Sequence, residues 1–507
     1  MSQISRTKNS AKNVVIASIV QIITIIVSFV ARTIFIKLMN ADYLGVNGLF
    51  NNVLAILAFS ELGISSAIIY NMYKPVADGD NEQIAALLNF YKKAYRIVAS
   101  FIFVVGLLIT PFIGYLINET PDIRENLQII YLLFLLNTVS SYLFSYSRSI
   151  FTANQKDYIN VLVERIFWIV MYFLQLVYLY LTHDFYGYLI FMTCATLASD
   201  ISITLYSKIK YPQITKNKAA KLSSFNVKKI LKDIYALFAY KVGSVLLQST
   251  SNIVIAKLIN ITVVGICSNY ILITSSIETI LQKVLNSIVA SIGNLNATDD
   301  NENKKKVLYE LTLCTNWIYG FCSIMLFILI NQLIEMWLGN DYLLTDSFVV
   351  LAVVLSFFFF GTNFTISSYR TTMGIFRQAR YVPMCAACVN LLLSIVLGKA
   401  FGLVGIYISI SITRLFTFNS IDPYLVFKKA FNESVIPYYL YQLKFYFVTV
   451  IVGYICYITS MQLPNTFMWF MLKLVLFTFV INLSYVLVYY STDQFKSLIK
   501  RLSILKR

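Results

Sequence analysis

Charge is scarce in this chain. Only 13% of its 507 residues are Asp, Glu, Lys or Arg, and 58% are hydrophobic. Soluble domains carry about 25% charged residues, so the composition excludes a water-soluble enzyme and a disordered scaffold. Histidine occurs once, at His183, and the seven cysteines are odd in number. Most of them, Cys194, Cys322 and Cys456 among them, sit inside apolar runs, so no disulfide framework is implied. Cys385 and Cys388 spell CxxC within a hydrophobic helix but lack companions for a metal site, and they read as packing residues. The sequence has no P-loop, no HExxH, no Gly-x-Ser-x-Gly and no paired-Asp loop. Machinery for ATP hydrolysis or glycosyl transfer is therefore missing, and the expectation is a protein that is not an enzyme and needs no cofactor or metal.

Long apolar runs dominate what is present. About 14 stretches are long enough to cross a bilayer as helices. They run at about 13 to 38, 42 to 72, 94 to 117, 126 to 147, 158 to 181, 185 to 207, 233 to 258, 262 to 291, 307 to 331, 345 to 369, 381 to 399, 402 to 424, 445 to 461 and 466 to 490. The fold class predicted is an all-α polytopic membrane protein. Lys+Arg number 41 against 24 Asp+Glu, a net charge of +17, yet no long basic segment stands free of apolar sequence. The excess fits cytoplasmic loops facing anionic lipid better than nucleic acid. Alternate turns hold Lys92 and Lys93, Lys156, the group Lys208 to Lys232, Lys304 to Lys306, Lys428 and Lys429, and the tail adds Lys496 and Lys500. The opposite loops hold little beyond Lys37, Arg124, Lys257 and Lys399, which predicts that both termini are cytoplasmic.

The chain also repeats itself at a shift of about 220 residues. KLMN at Lys37 to Asn40 falls on KLIN at Lys257 to Asn260, Gly45 on Gly265, and Asp80-Asn81-Glu82 on Asp300-Asn301-Glu302. A six-helix unit keeps its orientation when repeated, so two parallel six-helix repeats are expected, followed by two C-terminal helices. The expected divisions are 1–210, a Lys-rich cytoplasmic linker at 211–232, a second bundle at 233–430, and 431–507 for the extra helices and basic tail. The first span places Gln21, Thr24, Ser28 and Arg32 at helical spacing, and the same shift matches them to Lys241, Ser244, Gln248 and Asn252 on the seventh.

Cations at membrane depth persist mainly where they face a cavity or a partner. Arg32, Lys241, Arg165 and Arg414 are the candidate cavity cations, with Gln21, Ser28, Gln248 and Asn252 beside them; their excess over acids points to an anionic guest. Arg148 and Arg370 end spans four and ten in similar settings (Asn137, Ser141, Arg148 and Asn363, Ser367, Arg370) and read as cavity rim, or as snorkelling or locally paired residues. Arg96, Lys283 and Lys473 read as snorkelling or locally paired residues. Glu61 is the only acidic residue in the core of the second span. Its bland reading is a salt bridge to a neighbouring helix, to Arg32 for example. Its functional reading is ion coupling, because burial penalises the charged carboxylate and a conformational change then exchanges a proton. Asp200 and Glu278 are alternative coupling acids.

The segment Leu44 to Arg96, with ELGI, then AI, then YKP, an acidic turn and FYKK, resembles the bacterial polysaccharide repeat-unit flippases of the Wzx type. The whole chain is similar to the wider multidrug/oligosaccharidyl-lipid/polysaccharide (MOP) exporter superfamily. The resemblance implies two six-helix bundles in a V shape, with spans thirteen and fourteen as an added pair. It implies a monomer in the bacterial cytoplasmic membrane that moves an undecaprenyl-diphosphate-linked oligosaccharide between leaflets for capsule, O-antigen or exopolysaccharide assembly. The partners it implies are membrane lipids and the pathway's polymerase and glycosyltransferases. A multidrug exporter of the same fold and a membrane glycan polymerase remain alternatives. The first should favour acidic cavity residues, and the second usually carries a large outer loop that this chain lacks.

Overall fold

The computed structural model describes the backbone of residues 3–61, 63–298, 300–375 and 378–505, and most side chains from 19 to 500. Among them every regular element is a helix. Eleven helices are long and apolar enough to cross a membrane. The expected count of about 14 is reached through three further observations. The second span is interrupted, the seventh is the helix Ser224–Leu258, and the stretch Val382–Phe431 holds two passes.

Backbone geometry explains both interruptions. The second span was expected as one helix but is Ala41–Leu57, a 3-10 turn Ala58–Glu61, and Ile64–Asp78, with Gly63 at φ 94°. A left-handed residue cannot continue a right-handed helix, and glycine adopts that conformation without strain. Gly402, at φ 58° and ψ −135°, reverses the chain in the same way. The Ser394 and Ser409 hydroxyls lie 2.6 Å apart across it, although 15 residues separate them. In a straight helix they would be about 22 Å apart.

Two compact units divide the chain, Met1–Gly265 and Ile266–Arg507. In the first, Asn40 caps the helix from Ala41 by accepting from Asp42 and Tyr43 backbone N–H groups, and Asp80 caps the helix from Asn81 by accepting from Gln83 at 2.8 Å. The repeat reproduces both caps. Asn260 accepts from Val263 N–H at 2.8 Å, and Asp300 accepts from Asn303 N–H at 2.8 Å. The matched polar residues are thus helix starts, where orphan N–H groups need an acceptor. Aromatic clusters Phe50–Tyr131–Phe134 and Phe35–Phe185–Tyr188 fill the unit's core.

In the second unit the helices Ile436–Met461 and Phe467–Tyr489 pack on Asn301–Leu338 through a core of Leu313, Ile324, Phe445, Phe477, Ile481 and Tyr485. A final helix, Asp493–Leu505, follows, and its Phe495 stacks on Trp317. Lys473 does not snorkel as expected. It is 1% exposed and donates to Asn465 Oδ1 at 3.0 Å and Gln332 Oε1 at 3.4 Å, two amide oxygens that replace headgroup water.

Candidate functional site

The first span presents two opposed faces. Ile19, Ile22, Ile23, Ile26 and Val30 are exposed and lie on one side, as on a lipid-facing helix. Gln21, Thr24, Ser28 and Arg32 lie on the other side and are buried or half-buried. The fifth span, Asp157–Thr182, divides in the same manner. Ile166, Val170, Phe173 and Val177 are exposed, and Arg165, Trp168 and Tyr172, spaced i, i+3, i+7, share the opposite face. The first and fifth spans pack together, which brings Arg32 into the neighbourhood of Tyr172 and of Tyr188 of the sixth span. Arg165 also reaches Tyr172, and its guanidinium lies 5.6 Å from the Trp168 ring, which meets Tyr172 edge-on at 4.4 Å. Two of the candidate cations thus lie on the non-lipid faces of two packed helices, in the neighbourhood of Tyr172. Trp168 and Tyr172 carried no distinguishing signal in a chain with 15% aromatic residues.

A cavity of about 340 Å³ opens beside the first turns of the same helix, lined by Asn160, Val161 and Glu164 together with Tyr91, Tyr95 and Arg148. Arg148 donates from Nε (3.0 Å) and Nη2 (2.8 Å) to Asp200 Oδ1, and from Nη1 to Glu164 Oε2. Glu164 also pairs with Arg165 at 3.5 Å. Asp200 is buried, so its charge is matched by the two guanidinium bonds. Tyr91 Oη donates to Tyr95 Oη at 2.8 Å, and Tyr95 Oη donates to Glu61 Oε1 at 2.5 Å. The two lining tyrosines thus connect Glu61, at the break in the second span, to the cavity.

The remaining candidates lie apart from this cavity. Lys241 donates to Ser66 Oγ at 2.8 Å, and Asn252 lies beside Gly48. The Gln248 side chain lies outside the described residues. In the second unit Arg414 donates to the Ser356 carbonyl at 2.7 Å, lies 4.8 Å from the Phe360 ring and interacts electrostatically with Glu278. Arg370 and Asp422 form a sealed pair at 2.6 Å, 3% and 0% exposed. Arg96 is exposed. Cys385 and Cys388 are free thiols on an exposed surface. Among the described residues no group of three or more His, Cys, Asp or Glu is placed to hold a metal.

No family model matches this sequence, and no curated protein does. Solved structures do match in fold. The chain is similar to the lipid II flippase MurJ in its inward closed conformation, with a TM-score of 0.68 at 17% identity, covering 93% of this chain and 98% of that one. It is also similar to an inward-facing multidrug resistance MATE family transporter of the MOP superfamily (TM-score 0.62, 13% identity, 79% and 95% covered). A third likeness is to a mutant of the Vibrio cholerae MATE transporter VcmN (TM-score 0.55, 13% identity, 85% and 98% covered). The chain is a multi-pass helical membrane protein with the MOP fold.

Proposed function

We propose that this protein is a flippase that carries an undecaprenyl-diphosphate-linked oligosaccharide across the bacterial cytoplasmic membrane for polysaccharide assembly. The observation that carries the reading is a pair of arginines on two packed helices, Arg32 on the first span and Arg165 beside Trp168 on the fifth, each on the face turned away from its helix's exposed apolar side. A diphosphate loses its hydration on leaving water, and guanidinium forks replace it with charge-assisted bonds. Aromatic rings beside the cations offer apolar faces to sugars. The polyprenyl tail stays in lipid while the two repeats, residues 1–210 and 233–430, alternate their access. Lys241 in the first unit and Arg414 in the second are further proposed headgroup contacts. Glu61, through Tyr95, is the proposed coupling acid.

The second reading is export of organic cations on the same fold, favoured by the carboxylates at the cavity and by the MATE likenesses. Its weakness is that Asp200 and Glu164 are matched by arginine. Reconstituted vesicles separate the two readings. The radiolabelled lipid-linked oligosaccharide should become accessible to an enzyme confined outside, and ethidium should not be moved. The double variant Arg32→Gln, Lys241→Gln should flip about tenfold more slowly or worse, as expected for lost charge-assisted hydrogen bonds. Equal exposure of the lipid in protein-free vesicles refutes the flippase reading.

A further inference from the structure

The shift that aligns the halves also aligns an ion pair. Arg148 meets Asp200 52 residues on, and Arg370 meets Asp422 52 residues on. In the second unit the pair is closed off, with side chains 3% and 0% exposed. In the first unit Asp200 is equally enclosed at 2%, but Arg148 is 26% exposed. The difference is Glu164. At a shift of about 220 residues its counterpart falls in Met384 to Cys388, a stretch without charge. An arginine and an aspartate thus suffice for the structural bond. Glu164, which lines the cavity, and its chain neighbour Arg165, with which it pairs, are additions to that bond.

The atoms divide the work. Asp200 takes Nε and Nη2 of Arg148 and fixes the guanidinium plane, leaving Nη1 for Glu164. Glu164 spends its other oxygen on Arg165 Nη2. A single carboxylate on the cavity lining, 41% exposed, therefore bridges two guanidinium groups, Arg148 of the same lining at 26% exposed and Arg165 beside it at 32%. Ion pairs this open to water contribute little, so their exchange for another anion costs little. Removal of Glu164 leaves Arg148 anchored on Asp200 with a free donor, and leaves Arg165 without that acid partner.

We infer that Arg148 Nη1 and Arg165 form an anion site for a diphosphate, and that Glu164 is its resident counter-ion, displaced when the diphosphate arrives. The inference rests on the flippase reading for the biological ligand, but the site is defined by charge and geometry alone. Two oxygens of one phosphate, or one from each of two linked phosphates, can take the places of the two carboxylate oxygens, which suits arginine better than lysine. Occupied by Glu164, the site rejects weak anions. Diphosphate, with more charge and more acceptors, outcompetes a single carboxylate.

The test is calorimetric titration of the purified full-length protein with sodium pyrophosphate, geranyl diphosphate and geranyl alcohol. Glu164→Gln should bind both diphosphates about tenfold more tightly than wild type and geranyl alcohol no differently. Arg165→Gln should weaken both, and adding it to Glu164→Gln should abolish the gain. Thermal melts check folding, which the intact Arg148–Asp200 pair should preserve. Equal affinity in wild type and Glu164→Gln overturns the inference, as does a gain that survives loss of Arg165 or extends to the alcohol. A gain for pyrophosphate without one for geranyl diphosphate supports the anion site and identifies free diphosphate as its ligand. Failure of lipid flipping in vesicles, by contrast, counts against the flippase reading and leaves this titration unaffected.

Discussion

Gly45 and Gly265 show how one missing methyl group sets a helix crossing. A Cβ on Gly45 would collide with the Ile261 carbonyl, and one on Gly265 with the Ala41 carbonyl, so each glycine admits the first residue of the other's helix. Asp42 reinforces the crossing by accepting from Thr262 Oγ1 and, at 2.6 Å, from Asp122 N–H. The glycine match was legible in the sequence, but its cause was not, because close approach of two backbones leaves no pattern in hydropathy. Backbone cannot yield as a side-chain tip does, so Gly45→Ala should cost about 1–3 kcal/mol. Gly79 makes the comparison, with φ 74° and nothing within 4 Å of an added Cβ. Its substitution by Ala should cost only about 1 kcal/mol of backbone strain. Thermal melts of the purified variants should therefore rank wild type, then Gly79→Ala, then Gly45→Ala; the reverse order for the two variants would mean that the crossing relaxes freely.

At the scale of elements, the sequence announced spans more clearly than their interruptions. The run 42 to 72 is apolar enough overall to read as one span, and a glycine within it is compatible with a continuous helix until tertiary contacts demand φ > 0 at Gly63. The ion pairs were half legible. Arg148 and Arg370 stood out as matched span ends, but their partners lie 52 residues away on other helices, and no helical periodicity joins them. The enclosed pair carries a sharp expectation. Arg370→Gln leaves Asp422 as a buried charge without its guanidinium, a loss of about 3–5 kcal/mol. Adding Asp422→Asn removes that charge and should recover part of the stability. Melting temperatures of the two variants check this, and a double variant less stable than Arg370→Gln would show that Asp422 finds another counter-charge. Arg148→Gln should be less damaging at matched ionic strength, since Arg148 is partly open to water.

For the whole molecule, composition and repeat sufficed to read an all-helical membrane protein built twice over, and the fold shared with MurJ and MATE structures agrees. What the molecule does with an energy gradient depends on a smaller set of contacts that no span count contains. Glu61 was legible as a lone acid, whereas Tyr95, 34 residues on, becomes its partner only when the helix Asn81–Ile109 packs on the broken second span. The chain Tyr91, Tyr95, Glu61 leads from the cavity to that break and ties the Glu61 carboxylate to both. Coupling through this route predicts that Glu61→Gln, a neutral mimic of the protonated acid, and Tyr95→Phe, which deletes the linking hydroxyl, share one phenotype. In vesicles with an imposed proton gradient, wild type should flip its lipid several-fold faster than without one, and both variants should flip at the same rate with and without it while still binding geranyl diphosphate. The measurement is the ratio of the two rates for each protein. If Glu61→Gln loses the response and Tyr95→Phe keeps it, the acid couples without the tyrosine. If both keep it, the gradient enters elsewhere, with Asp200 and Glu278 the next carboxylates to replace.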